Sequence, residues 1–160
     1  MCHTEVQHMN ILHFITLKQE VAYLYEDYTL RQALEKMEYH KYSAIPIIDR
    51  EGHYVGTITE GDLLWEIKNH YALDIKKAEN QPLSEIPRRI TNRAVRIDTN
   101  IQDLVNTAMT QNFVPVVDDR GVFIGIVKRR DIIRYCYDLA FQKDRRENNL
   151  LRLPVKKTGS

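Results

Sequence analysis

The feature that most constrains this chain is an internal duplication. The block AIPIIDREGHYVGTITEGDLLWEI, starting at Ala44, aligns without a gap to FVPVVDDRGVFIGIVKRRDIIRYC, starting at Phe113, an offset of 113 − 44 = 69 residues. Pro46 meets Pro115, Asp49 meets Asp118, Gly52 meets Gly121, Gly56 meets Gly125 and Asp62 meets Asp131. Apolar positions follow, with Ile47 against Val116, Val55 against Ile124 and Leu63 against Ile132. Self-similarity of this kind means one supersecondary unit used twice.

Upstream of each block the apolar spacing switches to that of a helix face. Leu30, Ala33, Leu34 and Met37 fall at i, i+3, i+4 and i+7, as do Ile101, Leu104, Val105 and Ala108. Asp27 and Thr29, or Asp98 and Thr99, are the expected caps. Strand-like segments precede the helices at Val21 to Leu24 and Ala94 to Ile97. Ile45 to Ile48 and Val114 to Val117 have the unbroken apolar character of strands covered on both faces. Turns at Arg50-Glu51-Gly52 and Asp119-Arg120-Gly121 lead to strands Tyr54–Thr59 and Phe123–Lys128, and final helices start near Glu60 and Arg129. The fold class is therefore α/β (α+β), two β-α-β-β-α motifs. One motif of about 60 residues makes a marginal core, which two packed face to face about a pseudo-twofold axis would relieve. The expected organisation is an N-terminal extension with a short lead-in helix over 1–15, a first motif over 16–72 and a linker over 73–86. A second motif over 87–140 and a polar tail over 141–160 complete it.

Composition narrows the function. With 43% hydrophobic and 28% charged residues the chain reads as an ordinary globular protein, and a net charge of +1 gives no whole-molecule attraction to nucleic acid. No apolar run approaches the roughly 20 residues of a membrane span, so no membrane partner is expected. Cys2 and Cys136 show neither disulfide nor metal spacing, which points to a reducing cytoplasm. The opening MCHTEVQH lacks a signal-peptide pattern, and Met9 is a candidate natural start with Met1 to His8 as an upstream extension. His3, His8 and His13 are five apart and give no metal site. No P-loop, dinucleotide fingerprint or nucleophile triad is present, so no enzyme is expected.

The apolar-Pro-apolar-apolar-Asp strand, followed by Gly56, Thr59 and Asp62 in one copy and Gly125, Lys128 and Asp131 in the other, resembles the CBS domain family, across roughly Asn10 to Leu139. In that family two motifs form one module. The resemblance implies a ligand in the cleft between copies: AMP, ADP, ATP, S-adenosylmethionine or a cyclic dinucleotide such as cyclic di-AMP. It implies that Asp62 and Asp131 accept hydrogen bonds from ribose hydroxyls and that Thr59 meets phosphate. Backbone at Ala44, Ile45, Pro46, Phe113, Val114 and Pro115 would read the adenine edge. It also implies a homodimer and a protein partner that reads the ligand state.

The residues can be weighed separately. A ribose diol needs an acceptor of two hydrogen bonds, which a carboxylate is. Yet Thr59-x-x-Asp62 is equally close to a capping box, worth about 1 kcal/mol with no ligand. In the second copy Lys128, Arg129 and Arg130 crowd cations at the positive end of a helix, each misplaced by about 0.3–1 kcal/mol. A bound polyanion resolves that conflict; solvated side chains are the alternative. Lys128 departs from the usual Thr or Ser of the family and favours a longer or doubly anionic ligand. Arg88, Arg89 and Arg93 form a second basic cluster, either facing a distal phosphate or solvated. Tyr42, near Tyr39, is placed to stack on adenine, whereas Tyr135 and Tyr137 suit packing or a dimer interface. Three readings remain: an adenine-nucleotide sensor, a cyclic di-AMP receptor, and a ligand-free dimerisation module.

Overall fold

The computed structural model describes residues 10–151, with side chains to residue 142; Cys2, His3, His8 and the proposed start at Met9 lie outside the described residues. Strand β1 (Ile15–Leu17) precedes the first copy: β2 (Leu24–Tyr25), α1 (Leu30–His40), β3 (Ala44–Ile48), β4 (Tyr54–Thr59) and α2 (Glu60–Tyr71). A short α3 (Ile75–Ala78) leads to the second copy: β5 (Val95–Arg96), α4 (Ile101–Ala108), β6 (Phe113–Val117), β7 (Phe123–Lys128) and α5 (Arg129–Leu151). The strands at β4 and β7 and both helix starts fall where the repeat predicts them. The strands before α1 and α4 are two residues each and sit later in the first copy than the expected Val21 to Leu24.

Each copy makes a sheet in which a parallel pair is joined to an antiparallel hairpin. The hairpins carry the same irregularity, between Ile47 and Ile48 and between Val116 and Val117, 69 residues apart. The repeated aspartates explain the turns. Asp49 Oδ1 accepts from the amides of Glu51 and His53 at 2.9 and 2.8 Å, and Asp118 Oδ1 from Arg120 and Val122 at 2.8 and 2.9 Å. These loops need a residue tolerant of positive φ, supplied by Gly52 at 93° and Gly121 at 82°. The two turns then bond to one another: Tyr54 N donates to Gly121 O at 3.2 Å and Phe123 N to Gly52 O at 2.9 Å. Exchange of equivalent bonds by equivalent residues is the mark of the pseudo-twofold axis.

Helix starts obey local chemistry. Thr29 and Gln32 close a reciprocal capping box on α1. Asn100, rather than Asp98 or Thr99, caps α4, because its side chain reaches the Asp103 amide at 2.8 Å. Three clusters form the core: one within the first copy around Leu24, Leu30, Ile45, Ile58 and Leu63, one within the second around Leu104, Val114, Val116 and Val127, and one between them from Val21, Ile48, Phe123 and Ile126.

Three expected boundaries look different in space. Strand β1 pairs antiparallel with β7, so residues ahead of the first motif complete the sheet of the second, in the order β1-β7-β6-β5. The 73–86 segment is no free linker: Ala78, Leu83 and Ile86 are buried in the first core, and Leu83 N donates to Tyr28 O at 2.8 Å. Its one proline, Pro82, opens the short turn Leu83–Glu85, and its apolar residues close the open side of the first copy. Helix α5 continues without a break to Leu151, so the polar segment after residue 140 begins as an extension of that helix.

Candidate ligand cavity between the copies

Helix α1 ends on Lys41 in the left-handed conformation (φ 57°), its amide bonded to the carbonyls of Glu38 and Met37. That reversal delivers Lys41, Tyr42 and Ser43 to the mouth of a cleft facing the second copy. The cavity there measures about 270 Å³. Its walls are Val21, Ala22, Ala44 and Pro46 from one copy and Phe113 and Ile126 from the other, and its rim carries Lys41, Tyr42, Ser43, Asn112, Lys128 and Arg130. Lys128 ends β7 and Arg130 lies in the first turn of α5, whose positive dipole end favours an anion although the Arg129 amide is already given to Asn112 O at 3.0 Å. Among the described residues none of Lys41, Lys128 or Arg130 has a carboxylate partner. Tyr42 stacks on His40 with centroids 5.4 Å apart and planes at 23°, which holds its ring at the mouth. An apolar slot under three unpaired cations suits a flat, weakly polar body carrying phosphate.

The cavity thus gathers Tyr42, Ala44, Pro46, Phe113, Lys128 and Arg130 from the sequence expectation. It does not gather the others. Ile45 and Val114 bury their side chains completely in the two cores, and Pro115 is buried without reaching the cavity. Asp62 is 3% exposed with both oxygens engaged, Oδ2 by Thr59 N at 2.9 Å and Oδ1 by Arg89 N at 3.0 Å. Thr59 Oγ1 in turn accepts from Asp62 N at 3.1 Å. The capping-box reading holds, and the pair lies away from the cavity because the helix terminus uses its polar atoms. Asp62 lines a separate hollow with Trp65, Glu66 and Arg89, and Asp131 another with His13, Thr16 and Arg134. The two aspartates line no common cavity.

The basic clusters also separate. Arg129 Nε donates to the carbonyls of Ala108 and Gln111, both at 2.9 Å, closing the end of α4 rather than awaiting a ligand. Arg88 covers Gly56 and reaches Val55 O, while Arg89 lies over the Trp65 ring at 5.0 Å. Arg93 is bonded through its backbone to Gln111, its amide to Oε1 at 2.7 Å and its carbonyl to Nε2 at 3.0 Å. Tyr135 packs edge-on against Phe14 with centroids 5.0 Å apart, and Tyr137 stays exposed beside Phe141.

Lys41, Ser43 and Asn112 escaped the sequence reading. Their signal was position: Ser43 and Asn112 directly precede β3 and β6, and Lys41 ends α1 three residues before β3. Asp49, Glu51 and His53 also bring ligand atoms within 4.8 Å of one another, but the Asp49 carboxylate is already held by the turn. Burial pushes the Tyr54 phenol above its usual range, consistent with a hydroxyl committed to Thr57 Oγ1 at 2.7 Å and Asn92 O at 3.1 Å.

The CBS domain family model matches residues 15–69 and 83–138, one match on each copy. The chain belongs to the CBS domain family. A relative from Acidianus ambivalens, an uncharacterized 17.7 kDa protein, is 27% identical over 116 residues, 69% of this chain; the chain spans 64% of that relative's own length. Among solved structures, CBSX2 in complex with AMP is 25% identical with a TM-score of 0.66, covering 82% of this chain and 98% of that one. CbpB in complex with c-di-AMP has a TM-score of 0.74 at 18% identity, covering 86% of this chain and 91% of that one, a likeness of fold. Among the described residues no helix is long and apolar enough to cross a membrane.

Proposed function

We propose that this CBS pair is a regulatory module that binds an adenine nucleotide in the cleft between its copies, catalyses nothing, and signals by a change of shape. The observation that carries the reading is the apolar slot at the copy junction with Lys41, Lys128 and Arg130 at its rim, none with a carboxylate partner among the described residues. The base would lie between Pro46, Phe113 and Ile126, and the phosphates would meet the cations and the amides opening α5. The AMP bound by CBSX2 supports the ligand class. Signalling requires different affinity for two arrangements of the copies, since a ligand shifts an equilibrium only by that difference. An exposed, unpaired Cys136 is in keeping with the cytoplasm.

Calorimetric titration of AMP, ADP, ATP and cyclic di-AMP tests it. Lys128→Ala is expected to weaken AMP binding about tenfold, the loss of roughly one charge-assisted contact. Heat from none of the four sinks the proposal. Cyclic di-AMP is the second reading, favoured by Lys128 and Arg130 on one rim; steep loss on Arg130→Ala for the dinucleotide, with AMP little changed, would select it. Recovery of each nucleotide unchanged after overnight incubation is expected of a non-enzyme.

We also propose pairing with a second molecule through the outer faces of α2 and α5. Leu64 and Ile133, related by 133 − 64 = 69, are 52% and 59% exposed, and Tyr137, one turn after Ile133 on α5, is 59% exposed. A further protein that reads the ligand state completes the scheme.

A further inference from the structure

The pseudo-twofold axis that makes one cleft must make a second, and the residues of the two can be compared position by position. Applying the offset of 69, Lys128 corresponds to Thr59, Arg130 to Gly61 and Lys41 to Thr110. Every rim cation of the cavity is thereby replaced by an uncharged residue. Tyr42, which stands exposed at the mouth, corresponds to Gln111, which is 5% exposed. Gln111 is turned inward and spent: it accepts from Arg93 N at 2.7 Å and donates to Arg93 O at 3.0 Å and Phe113 O at 3.2 Å. Ile126, a wall of the cavity, corresponds to Thr57, whose hydroxyl is held by Tyr54 at 2.7 Å. The same Tyr54 hydroxyl donates to Asn92 O at 3.1 Å. Between the strands ahead of each copy the offset is 95 − 24 = 71, so Asn92 stands where Val21 lines the open cleft.

From these substitutions we infer that the two clefts have diverged into one site and one fixed joint, so that each chain binds a single ligand. The joint is stitched by Gln111 across the Arg93 backbone and by Tyr54 between Thr57 and the Asn92 carbonyl. A buried side chain satisfied by three backbone groups is costly to displace, because an incoming ligand must restore every bond it breaks. The open cleft has the opposite character: repelling cations at its rim gain only when an anion arrives. Ligand therefore tightens one side of the module about a seam that is already closed. The inference rests on the function proposed above, and it adds the stoichiometry and the residues that set it.

Two measurements on the full chain test it. Native mass spectrometry with AMP and with ATP is expected to saturate at one nucleotide per chain, with Lys128→Ala losing most of that occupancy. Two nucleotides per chain overturns the inference while leaving the proposed function standing. Binding of neither probe, with no heat from ADP or cyclic di-AMP either, overturns both that function and the single-site count. The joint is decided without ligand: Gln111→Ala is expected to lower Tm by about 4 °C or more, and Tyr54→Phe by a smaller amount, for a chain of this length. Tyr42→Ala, the counterpart of the Gln111 variant, should leave Tm nearly unchanged. Equal Tm for wild type and Gln111→Ala overturns the joint.

Discussion

Asp62 and Asp131 occupy equivalent places in sequence and different surroundings, Asp62 beside Arg89 and Trp65 and Asp131 beside His13 and Arg134. Asp62 has a threonine three residues before it and an arginine amide across from it, so its charge is consumed by backbone donors. Asp131 follows Lys128, which offers no cap. Asp62→Ala removes a cap and leaves the Arg89 amide without its acceptor, a loss of about 1–2 kcal/mol. Thermal unfolding should show Tm falling by several degrees, while AMP affinity by calorimetry stays near wild type; a large affinity loss at unchanged Tm would reverse the assignment. Asp118 carries a pH dependence. The Val122 amide, working against desolvation and joined by the Arg120 amide, holds its carboxyl below the usual carboxylate range. A depressed folded-state pKa contributes stability that is present above the unfolded value, about 3.9, and lost as pH falls through the folded one. Asp118→Asn keeps an acceptor oxygen without the titration. Its Tm should therefore fall less steeply than wild type below about pH 4, measured as the difference between the two curves.

At the scale of elements, β1 is the least expected and the most consequential. Its pairing with Gly125, Ile126 and Val127 places the Thr16 carbonyl where any side chain at 125 would stand. In the first copy Gly56 meets only the Arg88 guanidinium, the movable end of a long side chain. Gly125→Ala is therefore expected to cost about 1–3 kcal/mol by overpacking against backbone, whereas Gly56→Ala would meet a yielding side chain but add backbone strain at φ 154°. Hydrogen exchange should show Ile15–Leu17 losing protection in the Gly125 variant; retained protection would mean the strand can shift at little cost. Periodicity made α1, α4 and both hairpins legible, because each shows an uninterrupted pattern. It could not reveal β1, three residues whose partner lies over a hundred positions away, nor the burial of Ala78, Leu83 and Ile86 among breakers.

For the whole molecule, the axis relating the copies predicts how a second molecule would meet this one. A twofold dimer uses the same patch on both partners, and Leu64 and Ile133 are exposed apolar residues at equivalent positions of α2 and α5. Sedimentation of wild type should show a dimer, and the double variant Leu64→Asp, Ile133→Asp should shift it to monomer with the far-ultraviolet spectrum preserved. A wild-type monomer at micromolar concentration removes the pairing.

The sequence alone determined the duplication, the order of elements within each copy and the family to which they belong. Those follow from local rules, in which apolar spacing, caps and turn residues act over a few positions. It also singled out Tyr42, Lys128 and Arg130. Only the tertiary structure decided that these line one cavity with Lys41, that Asp62 and Arg129 are spent on helix ends, and that Gln111 seals the opposite cleft. The reason is physical: a polar side chain takes whichever partner the fold brings within about 3 Å, and nothing in the spacing of residues states which partner arrives first.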